Sequence, residues 1–182
     1  MLKAHACARP QFQPISLNRS IIDGSTLDPP APPHIQPTFY GGLVVNSFIG
    51  STGSSTLVEL NVSDSNVSGY AVFEGGSLVR AVFVNLDAWL TSSTGTRPSV
   101  HVDLGFAAGT NTTQNEAEAF AHRSVSLKRL VIDHAEDTEG LKWVGQSYET
   151  SDVSPEGSLV AEQVQLGKGF DIRSTEAVLV EF

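Results

Sequence analysis

The segment SGYAVFEGGSLVRAVFVNLDAWL, residues 68–90, decides the fold. Aromatic and β-branched residues at 70–73 precede Gly75-Gly76, and an apolar run resumes at 78–84, so the segment predicts two β-strands joined by a tight turn. Both faces of the second strand are mostly apolar, with Val79, Ala81 and Phe83 predicted on one and Leu78, Arg80, Val82 and Val84 on the other. Such a strand belongs near the middle of a sheet that is covered on both sides.

Outward from this hairpin, short segments repeat a period of two between turn signals. They lie at residues 56–62, 100–106, 124–132, 141–145, 147–149, 157–166, 170–173 and 176–182. Inward positions are predicted for Val58, Leu60 and Val62 in the first segment, and for Val100, Val102 and Leu104 in the second. A polar loop is expected at 107–122 and an acidic loop at 133–140. The pattern predicts an all-β fold, an antiparallel β-sandwich of about eight or nine strands.

Residues 37–50, PTFYGGLVVNSFIG, have apolar residues at helical spacing and predict a short helix that ends at Gly50. Gly41 and Gly42 each cost about 1 kcal/mol relative to alanine, so they fit a helix that lies close against another backbone. Residues 1–36 include DPPAPP and are predicted to be a Pro-rich disordered segment or linker. The expected organisation is therefore a tail at 1–36, a helix at 37–50 and a β-sandwich domain at 51–182.

The composition and the motifs of the chain argue against several classes of function. The net charge of −9, with only 11 Lys and Arg residues, argues against nucleic-acid binding. No apolar run is long enough to predict a membrane span. Cys7 is the only cysteine, which excludes an intramolecular disulfide and a thiolate metal site. No phosphate-binding glycine loop occurs, and no cofactor is predicted.

Four of the seven asparagines lie in N-x-[ST] sequons: Asn18, Asn61, Asn66 and Asn111. Chance predicts about 1.3 to 1.5 sequons in a chain this rich in Ser and Thr, so the excess indicates a secreted ancestry. The N-terminus is too polar for a signal peptide. A secreted-type domain without that signal predicts that the front of a longer protein is missing.

Several side chains are candidates for chemistry, although none forms an established motif. A glycosidase needs two facing carboxyl groups, and the candidates are Asp103, Asp133, Glu136, Asp137 and Glu139. His134 among these carboxylates is a weak metal-site candidate, and His101 shares a strand face with Asp103 and could orient it. Trp89 and Trp143 could stack on a sugar ring, but core packing is the simpler expectation. No catalytic, cofactor-binding or metal-ligating residue is assigned.

Five stretches carry a family resemblance: PTFYGGLVVNSFIG, VSGYAVFEGGSLVRAVFVNLDAWL, SSTGTRPSV, LKWVGQSYE and FDIRSTEAVLVEF. Together they resemble the C-terminal β-domain of glycoside hydrolase family 79, the fungal β-glucuronidase branch related to heparanase, over residues 37–182. The resemblance implies a (β/α)₈ barrel that carries two catalytic glutamates and retains configuration, with the β-domain packed beside it. It also implies that PTFYGG is the last barrel helix and that an N-terminal strand joins the β-domain.

A barrel takes about 250 residues, far more than precede the first predicted strand, so the barrel is expected to be absent from this chain. The resemblance therefore implies a secreted, non-catalytic accessory domain whose partner is that barrel, with glucuronide-containing glycans as further candidate partners. Two alternatives stay open. Exposed coplanar aromatic residues would favour a free-standing carbohydrate-binding module, and a cleft with facing carboxyls would favour a hydrolase. A large apolar surface around Phe39, Tyr40, Val44 and Phe48 would favour the accessory domain.

Overall fold

The computed structural model describes residues 35–104, 118 and 121–182. They include an α-helix, α1 (Pro37–Ile49), a short 3-10 helix (Leu166–Lys168), and helical residues at Glu118 and Ala121. They also include nine β-strands: β1 (Ser55–Leu60), β2 (Val67–Glu74), β3 (Ser77–Asn85), β4 (Ser99–Val102), β5 (Ser124–Val131), β6 (Lys142–Trp143), β7 (Glu162–Gln165), β8 (Phe170–Arg173) and β9 (Ala177–Glu181). Residues 1–34 of the predicted Pro-rich segment 1–36 lie outside the described residues, as do Cys7, Asn18, Asn111 and most of the polar loop.

The strands form two antiparallel sheets, which confirms the predicted β-sandwich. The large sheet has the order β1-β2-β3-β9-β5-β6, and β7 pairs with β5 beside β6. The small sheet consists of β4 and β8. The predicted hairpin is confirmed as β2 and β3, joined by Gly75 and Gly76 with φ angles of 56° and 83°. Two consecutive positive φ angles match the twist of a two-residue hairpin, and glycine adopts them without steric strain.

The large sheet is buried on both faces, as predicted for its central strand. One face meets the small sheet in an inner core that includes Phe83, Leu127, Ile172, Val178 and Val180. The opposite face meets α1 in a helix-side core that includes Tyr40, Val44, Phe48, Val82 and Leu179. Strand β9 shows the division most clearly, because Val178 and Val180 enter one core and Leu179 enters the other. The structure is therefore layered as helix, large sheet and small sheet.

A β-bulge corrects the predicted face of Val79. Val72 pairs with Arg80 while Phe73 pairs with Leu78, so Val79 is an extra residue in β3. Ala81 and Phe83 face the inner core as predicted, but Val79 packs against the helix-side core. The alternation of side chains breaks at the bulge, and sequence periodicity alone did not indicate it.

In the other strands, the inward-facing residues match the prediction more closely than the strand bounds do. Leu60 and Val62 pack against the inner core, and Val102 and Leu104 are buried in it. Strand β4 ends at Val102, whereas the prediction extended to residue 106. The strand predicted for 157–166 begins only at Glu162, and Leu159 and Val160 are exposed before it.

Helix α1 begins at Pro37 and is followed by Gly50 with φ of 72°, as predicted for its C-terminal end. Tyr40, Val44 and Phe48 are buried against the sheet, so they do not form the exposed apolar surface considered above. No other part of the described fold packs against Gly41, because a Cβ there would meet no atom within 4 Å. At Gly50 a Cβ would instead lie 2.5 Å from Arg80 Nη2.

Substituting alanine for each of these two glycines should change the free energy of unfolding in opposite directions. We expect Gly41→Ala to raise the free energy of unfolding by about 0.5–1 kcal/mol, because alanine favours the helix and has room. Gly50→Ala is the matched control and should lower it by about 1 kcal/mol or more, because its φ is positive and its Cβ collides with Arg80. Urea denaturation of both variants measures the difference, and a destabilised Gly41→Ala variant would contradict the packing described.

Candidate functional site

The N-terminal half of α1 is attached to the sheet through the Tyr40 hydroxyl. This oxygen accepts a hydrogen bond from Tyr148 N at 2.9 Å, donates to Glu149 Oε1 at 3.3 Å and lies 3.3 Å from Ser147 Oγ. Glu149 in turn accepts hydrogen bonds from the backbone of Gly140 and Leu141. The buried tyrosine ring thus carries a hydroxyl whose polar partners all lie in residues 140–149, and these fix where the helix begins.

The C-terminal end of α1 is held by Arg80 of β3. Its guanidinium donates to Phe48 O at 2.7 Å and Ile49 O at 3.1 Å, the carbonyls left unpaired where the helix ends. The positive charge also complements the partial negative charge at this end of the helix. Arg80 forms an ion pair with Glu74, whose hydrogen bond from Arg80 lowers the pKa of that carboxyl. We call these contacts, together with those of Tyr40, the helix seam.

A second polar assembly lies where the chain passes from the small sheet to the large one, between β8 and β9. Residues 174–176 make this corner, and Ser174 and Glu176 are buried there. Thr175 has a φ of 62°, an uncommon value for a β-branched residue. Its hydroxyl accepts a hydrogen bond from Trp89 N at 2.7 Å and donates to Asp87 O at 3.1 Å. Side chains therefore satisfy backbone groups that no strand ladder reaches.

Glu176 is the buried charge of this corner, with its side chain 1% exposed. Its Oε2 accepts from Arg129 Nη1 at 3.2 Å and from Arg173 N at 2.9 Å, and Arg173 Nη2 lies 3.5 Å from Oε1. Arg129 also binds Glu162 through two nitrogens. Burial lowers the pKa of Arg129, but the hydrogen bond to Glu162 and the charge of Glu176 outweigh it and raise that pKa. We call Arg97, Arg129, Arg173, Ser174 and Glu176 the corner cluster.

Arg97 completes the corner cluster from the loop between β3 and β4. Its Nε donates to Ser174 O at 2.9 Å, and Nη2 donates to the same oxygen. Burial and the nearby charge of Arg173 lower the pKa of Arg97, while Glu176, Asp133 and Asp137 oppose that shift. The acidic loop thus lies beside the corner cluster, at the same end of the sandwich.

In the acidic loop, two of the candidate carboxylates are engaged in local hydrogen bonds. Glu136 accepts hydrogen bonds from the Thr91 hydroxyl at 2.5 Å and the Thr91 amide at 2.8 Å, which lower the pKa of Glu136. A general acid needs a raised pKa, so this shift has the opposite direction. Asp137 accepts from His134 N at 2.7 Å and lies 3.4 Å from His134 Nδ1. Asp133 and Glu139 are exposed.

His101 and His134, the two histidines considered for a chemical or metal site, each lie beside one carboxylate. His101 Nδ1 lies 2.8 Å from Asp171 Oδ1, because β4 and β8 place these residues opposite each other. Sequence reasoning named Asp103 as the partner of His101 and missed Asp171, since strand pairing cannot be read from spacing within one strand. Within residues 35–104, 118 and 121–182, no group of three or more His, Cys, Asp or Glu side chains is placed to hold a metal ion.

The two tryptophans differ in burial. Trp143 is 6% exposed within the helix-side core, which confirms the expectation of core packing. Trp89 is half-buried in the loop after β3, where its backbone binds Thr175 and Ala135. Trp143 therefore has no face free for a sugar ring.

The described structure thus presents two built assemblies, the helix seam and the corner cluster, on an antiparallel sandwich. The sequence model of the "Glycosyl hydrolase family 79 C-terminal beta domain" matches residues 69–179, which contain most of both sheets. The chain belongs to this family. The match confirms the resemblance seen in the hairpin and in the segments that follow it.

Two glucuronidases are similar to this family 79 β-domain. It is 26% identical over 160 residues to a β-glucuronidase of Neurospora crassa, covering 75% of this chain and 26% of that protein. It also resembles the solved structure of a 4-O-α-L-rhamnosyl-β-D-glucuronidase from Fusarium oxysporum 12S, with a TM-score of 0.55 and 21% identity. That likeness covers 71% of this chain and 27% of the solved chain. The chain therefore spans about a quarter of the length of either relative.

Among the described residues, no helix is long and apolar enough to cross a membrane. The structural anchors that sequence reasoning missed are the Tyr40 hydroxyl, the pairing of His101 with Asp171, and Glu176. In the sequence, Glu176 stands directly before the apolar run AVLV at residues 177–180, and nothing in its position there indicates burial.

We expect Tyr40→Phe to lower the free energy of unfolding of the β-domain by about 1–3 kcal/mol. The substitution keeps the buried ring but leaves Tyr148 N without its acceptor. Tyr70→Phe is a control, because Tyr70 is a partly buried tyrosine against the same core. Urea denaturation measures both variants, and equal losses would argue against a specific role for the Tyr40 hydroxyl.

Glu176→Ala should lower the free energy of unfolding by about 1–3 kcal/mol, because Arg173 N loses its acceptor and Arg129 loses one of its two carboxylate partners. Glu162→Ala is the matched control, since Glu162 pairs with the same Arg129 but is 47% exposed, and should cost below about 1 kcal/mol. Thermal unfolding in low salt compares the two. A smaller loss for Glu176→Ala than for Glu162→Ala would contradict this account of the corner cluster.

Proposed function

We propose that this chain is a non-catalytic accessory β-sandwich domain of a β-glucuronidase-like family 79 protein, and that it packs against a (β/α)₈ catalytic barrel. The observation that carries the proposal is the match to the C-terminal β-domain family, in a chain that spans about a quarter of two glucuronidases. A non-catalytic domain of this kind would act through contact with the barrel, and that contact requires a surface on the domain.

The outer face of α1 is the surface that we propose for the barrel. The inner face of the helix is committed to the sheet through Tyr40, Val44 and Phe48. The outer face presents exposed Thr38, Val45 and Asn46, with Val45 41% exposed. Gly41 has open space around it, and a glycine inside a helix costs about 1 kcal/mol that this chain alone does not recover. Close approach of a further backbone would recover it.

The helix seam supports a bracing role for α1. Arg80 holds one end of the helix and Tyr40 holds the other, so the orientation of the helix follows the sheet. A barrel that packs on the outer face would therefore be positioned by the whole sandwich. This is a mechanical role, in which the β-domain supports the geometry of catalytic groups that lie in another domain.

The same geometry gives less support to the two alternative functions. A free-standing carbohydrate-binding module needs exposed aromatic faces, and Trp143 is buried in the helix-side core. A hydrolase needs a protonated carboxyl at neutral pH, whereas the hydrogen bonds from Thr91 lower the pKa of Glu136. For the intact enzyme we propose an extracellular location and glucuronide-containing glycans as substrates, by analogy with the named activities of the two relatives.

We expect the purified chain not to hydrolyse an aryl β-glucuronide. The measurement is release of the aryl alcohol over hours at high protein concentration. A Glu136→Gln, Asp137→Asn double variant controls for contaminating enzyme, because contamination would survive it. Turnover that the double variant abolishes would overturn the accessory assignment and return attention to the acidic loop.

The docking face is tested in a chimera, in which residues 37–182 replace the aligned part of the Neurospora crassa β-glucuronidase. We expect Gly41→Leu to lower glucuronidase activity or domain association by about 10-fold or more, because a large side chain fills the proposed contact. Thr96→Leu adds similar bulk at an exposed loop position and should have little effect. Equal behaviour of the two variants in a folded chimera would exclude the outer face of α1.

A further inference from the structure

The connection between β1 and β2, residues 61–66 with sequence NVSDSN, carries two of the four sequons. Asn61 and Asn66 are both exposed. The middle residue of each sequon points the other way, because Val62 packs against the inner core and Val67 is buried within it. Because the valine after each asparagine faces the inner core, the asparagine itself lies on the solvent side of the loop.

The side chains of Asn61 and Asn66 also differ from that of Asn85, whose carboxamide forms hydrogen bonds within the fold. Asn85 is 3% exposed; its Oδ1 accepts from Asp87 N at 3.0 Å, and its Nδ2 donates to Ile172 O at 3.3 Å. Asn85 is not in a sequon. Within the described part of the chain, the side chains of Asn61 and Asn66 make no such hydrogen bonds. Packing and hydrogen bonding within the described structure therefore do not explain why positions 61 and 66 are exposed asparagines.

An exposed apolar residue lies beside the second sequon. Leu86 N donates to Asn66 O at 2.7 Å, so the two residues are held next to each other. Leu86 is 63% exposed. A sugar attached to Asn66 would lie over this side chain and remove part of it from water.

We propose that Asn61 and Asn66 are N-glycosylation sites and that the glycan on Asn66 shields Leu86. The Asn Nδ2 atom forms a bond to the anomeric carbon of a lipid-pyrophosphate-linked oligosaccharide. The bond from that carbon to the pyrophosphate oxygen breaks, the lipid pyrophosphate leaves, and the amide loses one proton. Ser68 of the second sequon lies inside β2, so the transfer precedes folding of the hairpin.

This inference goes beyond the accessory role and holds whatever the chain does for an enzyme. It also has a geometric consequence. Residues 61–66 follow β1 and precede β2, at the end of these strands opposite the Gly75-Gly76 turn and the Arg80 end of the helix seam. Glycans there would keep the 61–66 end in solvent, so a partner domain would not cover this loop.

The site assignment is tested on the full chain recovered from the medium of a eukaryotic secretory host. Enzymatic removal of N-glycans in heavy-oxygen water converts each occupied Asn to labelled Asp, which peptide mass spectrometry locates. We expect label at both Asn61 and Asn66, and loss of one glycan mass step in each of Asn61→Gln and Asn66→Gln. Absence of label at both positions overturns the proposal, and label at Asn18 or Asn111 would then show that the transferase had acted on the chain.

Shielding is tested separately by hydroxyl-radical footprinting of Leu86. Oxidation of Leu86 should rise severalfold in Asn66→Gln and after enzymatic deglycosylation of the unmodified sequence. Asn61→Gln is the matched control, because it removes a glycan from the same loop without uncovering Leu86, and its oxidation should match that of the parent. Equal oxidation of Leu86 in the two variants would overturn the shielding.

Discussion

The structure depends on a sheet whose central strands are apolar on both faces. Val178, Leu179 and Val180 of β9 are all fully buried, although their side chains alternate in direction. Burying one such side chain contributes about 1.5–3 kcal/mol, so leaving either face in water would forfeit several such contributions. Each face therefore needs a cover. The small sheet covers one face and α1 covers the other, which makes the helix an integral layer of the described fold.

Polar contacts then determine how these layers are oriented. A single neutral hydrogen bond contributes about 1 kcal/mol, less than the burial of Tyr40 or Phe48, so the apolar contacts supply most of the stability of the helix seam. The hydrogen bonds of Tyr40 and Arg80 have a direction, and they fix the two ends of α1 on the sheet. Glu176 has a similar task at the corner, where the chain leaves one sheet for the other and the strand ladders stop.

In the proposed accessory role, the domain would serve an enzyme through contact with it and not through chemistry of its own. Several charged side chains position backbone: Arg97, Glu136 and Glu149 each hydrogen-bond to main-chain groups of the domain. A helix held at both ends offers a firm outer surface to another domain. Two of the sequons lie at a different place, on the connection between the first two strands, so the proposed contact face and the proposed glycosylated end can coexist on one sandwich.

The sequence by itself determined the fold class, the central hairpin, the extent of α1 and most inward positions, because these follow from local hydrophobic periodicity and from turn glycines. It also carried the family resemblance, which many short patches share. Tertiary structure alone decided the bulge at Val79, the pairing of His101 with Asp171, the reach of Arg80 to the end of α1 and the burial of Glu176. Each of these depends on which distant strands become neighbours. Residues that meet only after the sheets have assembled leave no period or spacing in the chain, and that is why they could not be read from it.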